Sequence, residues 1–368
     1  MPYVHELPGW PALHWSSEAL ARPLASVRHA QGRHLGRMEG LGFDLRREAS
    51  LTTLTNDVVK SSAIEGEVLE PDQVRSSIAS RLGLDTAGLP RPAREVDGVV
   101  EMMLDATQRF DEELTEERLF AWHAALFPTG RSSMGSITVG AWRTEASGPM
   151  QVVSGPMGRA KVHFEAPHAD RIPAEAAAFL HWFNGPPAID PVLAAGVTHF
   201  WFVTIHPFED GNGRIARAIG DMALARADGT RERTYSLSTQ IEAERNRYYD
   251  ELEAAQRSSL DITPWLLWFL DCLDRAIASA ESMLERVLRK ARIWSTLQAR
   301  PVHERQRKVL GLLLEDFRGK LTTSKYAKLC KCSRDTALRD VQDLVERGVL
   351  ARNTGGGRST SYSLVDPG

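Results

Sequence analysis

The sequence predicts a mainly α-helical protein with a small β-hairpin, and three features of the 368-residue chain point that way. Apolar residues recur at three and four spacing through "SEALARPLASVRHAQGRHLGRMEGL" (17–41) and "REVDGVVEMMLDATQRF" (94–110), the period of an amphipathic helix. Glycine and proline punctuation gathers in "GAWRTEASGPMQVVSGPMGRAKVHFEAP" (140–167), where "MQVV" and "KVHF" read as the two arms of a hairpin. Charge is uneven: residues 301–368 carry 13 Lys and Arg against 8 Asp and Glu, the remaining 300 residues 32 against 40, so the tail reads as a separable module. With 42% hydrophobic residues the chain can bury a large core, and its length suggests two or three domains.

The elements follow in order. "PGWPALHW" (8–15) opens an N-terminal helical region with aromatic anchors. In "SSAIEGE" (61–67) Ser61 and Glu65 stand one helical turn apart on one face, and Gly66 ends that helix. "RLGLDTAGLPRP" (81–92), with two prolines and two glycines, connects this region to the next. "LTEERLFAWHAALFP" (114–128) precedes the hairpin; "AEAAAFLHWFN" (174–184) and "PVLAAGVTHFWFVTI" (191–205) follow it as helices, and the latter ends at about Ile205. The tail offers helices in "QRKVLGLLLEDF" (306–317), "TTSKYAKLC" (322–330) and "SRDTALRDVQDLVERGVL" (333–350), then two short strands around a glycine-rich tip in "VLARNTGGGRSTSYSLV" (349–365). That order resembles a winged helix, with Ala337, Val341, Leu344 and Val345 facing inward. The expected domains are a helical N-terminal domain at 1–95, a core at 96–290 and a winged helix at 291–368.

Net charge is −3, the amino terminus lacks a basic start followed by an apolar core, and "PWLLWFL" (264–270) is too short to span a bilayer. A cytoplasmic protein with no membrane partner is expected. Cys272, Cys330 and Cys332 form no disulfide framework, and a lone Cys-x-Cys is poor zinc evidence, so they read as reduced thiols.

The chemistry concentrates in "HPFEDGNGRIAR" (206–217), a glycine-rich turn between two helices. Backbone amides at a helix start have no internal partner and sit at the positive end of the helix dipole, so they bind phosphate well. Gly211 and Gly213 let the chain turn tightly and approach an anion, and Arg214 and Arg217, three apart, can fork onto phosphate oxygens. Asp210 supplies a hard oxygen for Mg²⁺, and His206 titrates near neutrality and can accept the proton of an attacking hydroxyl. Each residue type has a task in nucleotidyl or phosphoryl transfer.

His206, Phe208, Asp210, Gly211, Asn212, Gly213, Arg214 and Arg217 together resemble the signature of the Fic family at every defining position. Such a set would coincide by chance with a probability of about 10⁻⁸ or less at average residue usage. The resemblance implies an all-helical Fic core that transfers AMP from ATP, with Mg²⁺, to a Ser, Thr or Tyr hydroxyl of a target protein or of the chain itself. It implies His206 as the base, Asp210 as the metal ligand, Asn212 with the loop amides as an anion hole, Arg214 and Arg217 on the β- and γ-phosphates, and Phe208 as the anchor of the loop. "GAWRT", the hairpin and "HFEAPHADRIP" resemble the family's flap, whose edge would hold an extended target segment; Gln151, Val152, Val153, Val162 and His163 are its candidates. "RNRYYDELEAAQ" (245–256) resembles the helix that packs on the adenine, with Tyr249 stacking and Gln256 where some relatives have Asn; plain packing is the alternative for its tyrosines.

"SSAIEGE" resembles the family's inhibitory pattern of Ser or Thr, three residues, Glu, then Gly or Asn, carried here by Ser61, Glu65 and Gly66. A Glu65 carboxylate on Arg217 would fill the γ-phosphate site and misalign ATP, within the same chain. Alone, the spacing is that of any surface helix end. In the tail, Arg334, Thr336 and Arg339, with Arg352 and Arg358 on the wing, form a face suited to phosphates and a major groove, diluted by Asp335, Asp340, Asp343 and Glu346. Dimerisation or target docking is the other use of that module. The competing functions are an autoinhibited adenylyltransferase and a DNA-binding regulator using the Fic core as a nucleotide sensor, with de-AMPylation as a further outcome. Candidate partners are ATP, an unidentified target protein, DNA and a second copy of the chain.

Overall fold

Short polar side chains at Ser16, Thr115, Asp190, Ser236, Thr322 and Ser333 cap helix starts in the computed structural model, which describes residues 2–132, 135–154, 161–186, 188–298, 301–314, 317, 319–354 and 360–365. Ser16 accepts the Ala19 N–H ahead of α1 (Ser17–Glu39), whose buried stripe includes Leu20, Val27 and Met38. Helices α2 (Phe43–Ile64), α3 (Pro71–Arg81) and α4 (Arg94–Gln108) follow, and Thr115 caps α5 (Glu116–Leu126). Two antiparallel ladders come next: β1 (Arg131–Ser132) with β2 (Gly135–Ser136), and β3 (Gln151–Ser154) with β4 (Lys161–Glu165). Then come α6 (Ile172–Asn184), α7 (Pro191–Ile205), α8 (Asn212–Asp228), α9 (Leu237–Ala243), α10 (Arg245–Gln256) and α11 (Thr263–Gln298).

The described residues fall into two compact units, 1–280 and 281–368. In the first, α7 is apolar on all sides and packs against α8 at the centre, as a helix without a polar face must. The amino-terminal residues share this core: Val4, Leu20, Leu54, Val58 and Ile64 cluster with Phe200, Phe208, Ile215 and Trp265. Trp10 donates its indole N–H to Glu175 (2.7 Å), and His14 bridges to Asp261, which straps residues 2–15 onto α6 and the start of α11. A buried network ties α1 to α8: Arg233 pairs with Asp221 (2.9 Å) and Asp228 (3.1 Å), while Gln31 reaches Asp228 and Tyr235 (3.0 Å each). Charges so deep are tolerated because each is paired.

The second unit holds α12 (Glu304–Leu314), β5 (Leu321–Thr322), α13 (Thr323–Cys330), α14 (Arg334–Glu346), β6 (Leu350–Arg352) and β7 (Ser361–Leu364). Its antiparallel sheet runs β5-β7-β6; β5, at two residues, is too short to show in the sequence pattern. Val309, Leu321, Tyr326, Ala337, Val341 and Leu344 form the core, with Val345 half-buried against it. The expected dilution of the basic face holds for exposed Asp335 and Glu346 but not for Asp340 and Asp343. Asp340 is buried, accepts two bonds from Arg305 (2.9 and 3.2 Å) and one from Tyr326 (3.1 Å), and so faces the core. Asp343 is taken by Gln306 (2.7 Å) and Arg347. A helical wheel places Asp340 on the outside only if its partners on α12 and α13 are unknown. Arg334, Leu338 and Arg339 are exposed, whereas the Thr336 hydroxyl is bonded to Ser333 (2.9 Å) in the helix cap. Arg352 is exposed at the end of β6; Arg358 and the glycine-rich tip lie outside the described residues.

Cys272 is buried, Cys330 and Cys332 half-buried, and all three are free thiols. Among the described residues no helix is long and apolar enough to cross a membrane.

Candidate active site

Helix α7 stops because His206 takes a left-handed conformation (φ 51°, ψ 58°) that few residues other than glycine adopt. Residues 206–211 then reverse the chain, and Gly211 (φ 81°) caps the start of α8. His206 Nδ1 lies 3.1 Å from the Val203 carbonyl. A carbonyl only accepts, so Nδ1 carries the proton and the Nε2 lone pair is left as the acceptor. Burial pushes the His206 pKa down to about 4, with the Arg143 charge adding to the shift and Glu65 and Asp210 opposing it; the ring is therefore neutral at pH 7.

The side chain of Asn212 bonds both backbone groups of buried Phe208, accepting its N–H (2.9 Å) and donating to its carbonyl (2.8 Å). Its amide is thus spent on closing the loop, and what Asn212 can offer an anion is its backbone N–H. Asp210 accepts the Gly211 N–H on Oδ1 (2.6 Å).

Three residues that the sequence did not single out hold this loop from outside. Arg143 donates Nε to the His206 carbonyl (2.8 Å), its backbone N–H to Pro207 (3.0 Å) and Nη2 to Pro167. Burial lowers its pKa to about 10, still well above neutrality. Thr138 bonds both carboxylate oxygens of Glu209 at 3.0 Å. His123 is fully buried, stacks on Phe208 with centroids 4.2 Å apart, and spans the Gly140 N–H and the Asp210 carbonyl. Arg143 left a trace in "GAWRT", an arginine in an apolar, glycine-flanked stretch; His123 left none, since a histidine on an amphipathic helix looks like any core residue.

Both arginines of the loop are 3% exposed and both face the end of α2. Arg217 donates Nε to the Ser61 hydroxyl (2.9 Å) and Nη2 to the Ser61 carbonyl (2.8 Å), and pairs with Glu65 at 2.8 Å. Arg214 lies over the Phe127 ring (5.1 Å) and pairs with Glu67 at 2.5 Å. The helix end explains how two acids reach two arginines. Gly66 is left-handed (φ 84°), its N–H meets the Ala63 carbonyl and the Glu67 N–H meets the Ser62 carbonyl (3.0 Å each), the double bond of a glycine-capped helix end. Glu65 and Glu67 flank that glycine. A Cβ placed on Gly213 would lie 2.1 Å from Glu65 Oε1, so the Glu65 carboxylate fills the notch over the first turn of α8. Arg214 Nε and Arg217 Nη1 are buried with no hydrogen-bond partner among the described residues, donors to spare for a polyanion. The sequence pointed to Glu65 and missed Glu67.

In the hairpin Gln151 faces Glu165 and bonds it (2.8 Å), and the register shifts by a bulge between Val152 and Val153. Val153 is exposed, Val152 and Val162 half-buried, and His163 bonds Glu253 on α10 (2.6 Å). Arg257 takes the carbonyls of Val162 and His163 (3.1 and 2.9 Å), which commits β4 to the body of the unit. Tyr249 is half-buried beside Tyr248 and donates to the Ile64 carbonyl (3.3 Å). Gln256 is buried, its amide directed to Thr204 (3.4 Å).

Two buried histidines near the loop set a pH dependence of stability. Burial pushes His123 down to about 4 and His199 down to about 3. Below the ordinary value near 6.5 the unfolded chain binds protons that the folded chain refuses. Their effect is nil above that pH and grows as pH falls toward the folded values. Going from pH 7.5 to 5 should cost about 2 kcal/mol per histidine, read as a lower urea midpoint; an unchanged midpoint contradicts the burial argument.

Comparison with known proteins meets this geometry at the same residues. Residues 113–224 match the Fic/DOC family, residues 3–84 a domain of unknown function (DUF4172), and residues 307–365 the C-terminal domain of DIP2311-like transcriptional regulators. The protein adenylyltransferase Fic of Aedes aegypti is 25% identical over 283 residues, 71% of this chain and 51% of its own length. That of Culex quinquefasciatus is 25% identical over 281 residues, again 71% and 51%. The chain spans about half the length of these curated relatives. Among solved structures, a Fic family protein from Desulfovibrio desulfuricans G20 shares the fold with a TM-score of 0.56 and 23% identity, covering 98% of this chain and 99% of its own. A Fic domain containing signaling protein from Bacteroides thetaiotaomicron VPI-5482 gives 0.51 and 19%, covering 73% and 97%. With its helical fold, its matched segment and the loop that α7 and α8 hold between them, the chain carries a domain of the Fic/DOC family.

Proposed function

We propose that the chain transfers AMP from ATP to a hydroxyl of a target protein or of itself, and that residues 61–67 hold it in an inhibited state. The observation that carries this reading is the internal anion: Glu65 sits in the notch over Gly213 and on buried Arg217, where an incoming phosphate would bind. In the active arrangement Arg214, Arg217 and the amides of Asn212 and Gly213 hold the phosphates, while the Gly211 N–H stays on the Asp210 carboxylate. His206 Nε2 takes the proton as the hydroxyl oxygen bonds to the α-phosphorus; the bond between that phosphorus and the α–β bridging oxygen breaks, and pyrophosphate leaves. Asp210 suits Mg²⁺: its Oδ1 is engaged by Gly211, and a single carboxylate is enough for a cation that takes its other ligands from phosphates and water. Bound there, the cation would neutralise phosphate charge. The exposed segment around Gln151 and Val153 would receive an extended target by strand addition, Tyr249 would border the adenine, and residues 1–95 would serve as the inhibitory layer of a core at 96–290. Supporting the reading are the relatives named adenylyltransferase and the two ion pairs at α2. The test is mass spectrometry of the chain and a lysate incubated with ATP and Mg²⁺. An AMP increment on a hydroxyl side chain is expected; a different nucleotide increment would keep the site and change the donor, and no increment even after removal of Glu65 would discard the reading.

A second reading concerns the tail alone. Residues 307–365 resemble a domain of transcriptional regulators, and burial of Asp340 leaves Arg334, Leu338, Arg339 and Gln342 on the exposed side of α14, with Asp335 and Glu346 as the remaining exposed acids. Such a face suits a major groove. If residues 291–368 hold duplex DNA through phosphates, binding should weaken by roughly 10³-fold or more between about 50 and 200 mM salt. A mobility assay without binding at the low end would leave docking or pairing with a second copy as their role.

A further inference from the structure

We propose that His123 is a positioning residue for the transfer loop, fixing the peptide plane that joins Asp210 to Gly211. The proposal rests on the AMP-transfer reading above. The Gly140 N–H donates to His123 Nδ1 (3.1 Å), so that nitrogen is the acceptor and Nε2 bears the proton, which it donates to the Asp210 carbonyl (3.2 Å). Both ring nitrogens are thereby used, and the tautomer is set by an amide that cannot change its role. The ring lies flat on Phe208, 4.2 Å between centroids and 8° between planes, and is 0% exposed.

The carbonyl of Asp210 and the N–H of Gly211 belong to one rigid peptide unit and point in opposite directions. His123 holds the carbonyl end, and the other end donates to the Asp210 carboxylate at 2.6 Å. Orientation of the ring thus sets the orientation of that amide and, through it, of the carboxylate. Arg143 holds the loop at His206 and Pro207, Asn212 at Phe208, and Thr138 at Glu209; His123 completes the series at Asp210, the residue before the Gly211 cap of α8. A shift of about 1 Å in such a group can cost about a hundredfold in rate, which is why the anchor matters although it touches no reacting atom.

The test compares His123→Phe, which keeps the ring stack and loses both bonds, with His123→Gln, whose amide can again donate near the Nε2 position. Two readouts are taken on the full chain. Hydrogen exchange of the amides at 210–213, without nucleotide, is expected to quicken roughly tenfold in the Phe variant and to return toward normal in the Gln variant. With Glu65→Gly as the common background, kcat for labelling from α-labelled ATP is expected to fall roughly tenfold in the Phe variant with KM for ATP within about threefold, and to recover in part with Gln. A merely structural histidine would lower the melting temperature of both variants and leave the loop amides and the kcat of the folded fraction alone. Unchanged exchange at 210–213 in a folded Phe variant overturns the proposal, as does unchanged kcat. If the Glu65→Gly background itself labels nothing, the AMP-transfer reading fails, while exchange still decides whether His123 holds the loop.

Discussion

Replacing His206 with alanine is expected to lower AMP transfer by ~10²- to 10⁴-fold while ATP affinity stays within a few-fold. The base and the phosphate ligands are separate groups. His206 presents Nε2 because Nδ1 is bound to the Val203 carbonyl, whereas the phosphates would be held by Arg214, Arg217 and the amides opening α8. The variant is best measured in a Glu65→Gly chain, where the rate is not masked by inhibition, with ATP binding followed separately by calorimetry. Loss of binding in parallel with rate would assign His206 to holding nucleotide, and undiminished transfer would remove it from the mechanism. The left-handed φ of 51° at this position gives a further reason to follow folding, since alanine tolerates it poorly.

Glu65→Gly is expected to raise self-labelling or target labelling at least tenfold, about 1.4 kcal/mol in the barrier. The change empties the notch over Gly213 and frees Arg217, but it leaves Glu67 on Arg214. Glu67→Gln alone should therefore do little, because Glu65 still occupies the notch, and adding it to Glu65→Gly should raise labelling further. Exposed pairs are weak, and Glu67 is half in solvent, yet its partner is a guanidinium with 3% side-chain exposure that must find some anion. Arg217→Ala should not activate, since it removes a phosphate ligand together with the partner of Glu65. Combined with Glu65→Gly it should behave as Arg217→Ala alone, the signature of two residues acting through one contact. Labelling unchanged by Glu65→Gly, with the arginine combination no worse than the unmodified chain, would reduce Glu65 to the end of a helix.

Local physics was legible in the sequence. The spacing of apolar residues located α1, α4 and α6, and a long apolar run located α7; the glycine and proline punctuation located β3 and β4; and the order of residues 206–217 announced a tight turn into a helix. These are short-range matters, decided within a turn or a strand pair by caps, φ angles and hydrophobic spacing. Partnership was not legible, because it joins residues far apart in the chain. Glu67 meets Arg214 across 147 positions, His123 meets Asp210 across 87, and Asp340 turns inward because Arg305, 35 positions away, is there to receive it. In the sequence each of these is one acid or one histidine among many, and a buried polar group reveals its partner only once packing has removed the water that could have served instead. The residues of a nucleotide loop were written in the sequence; which carboxylates sit on its arginines, and which ring holds the Asp210 carbonyl, only the tertiary structure decided.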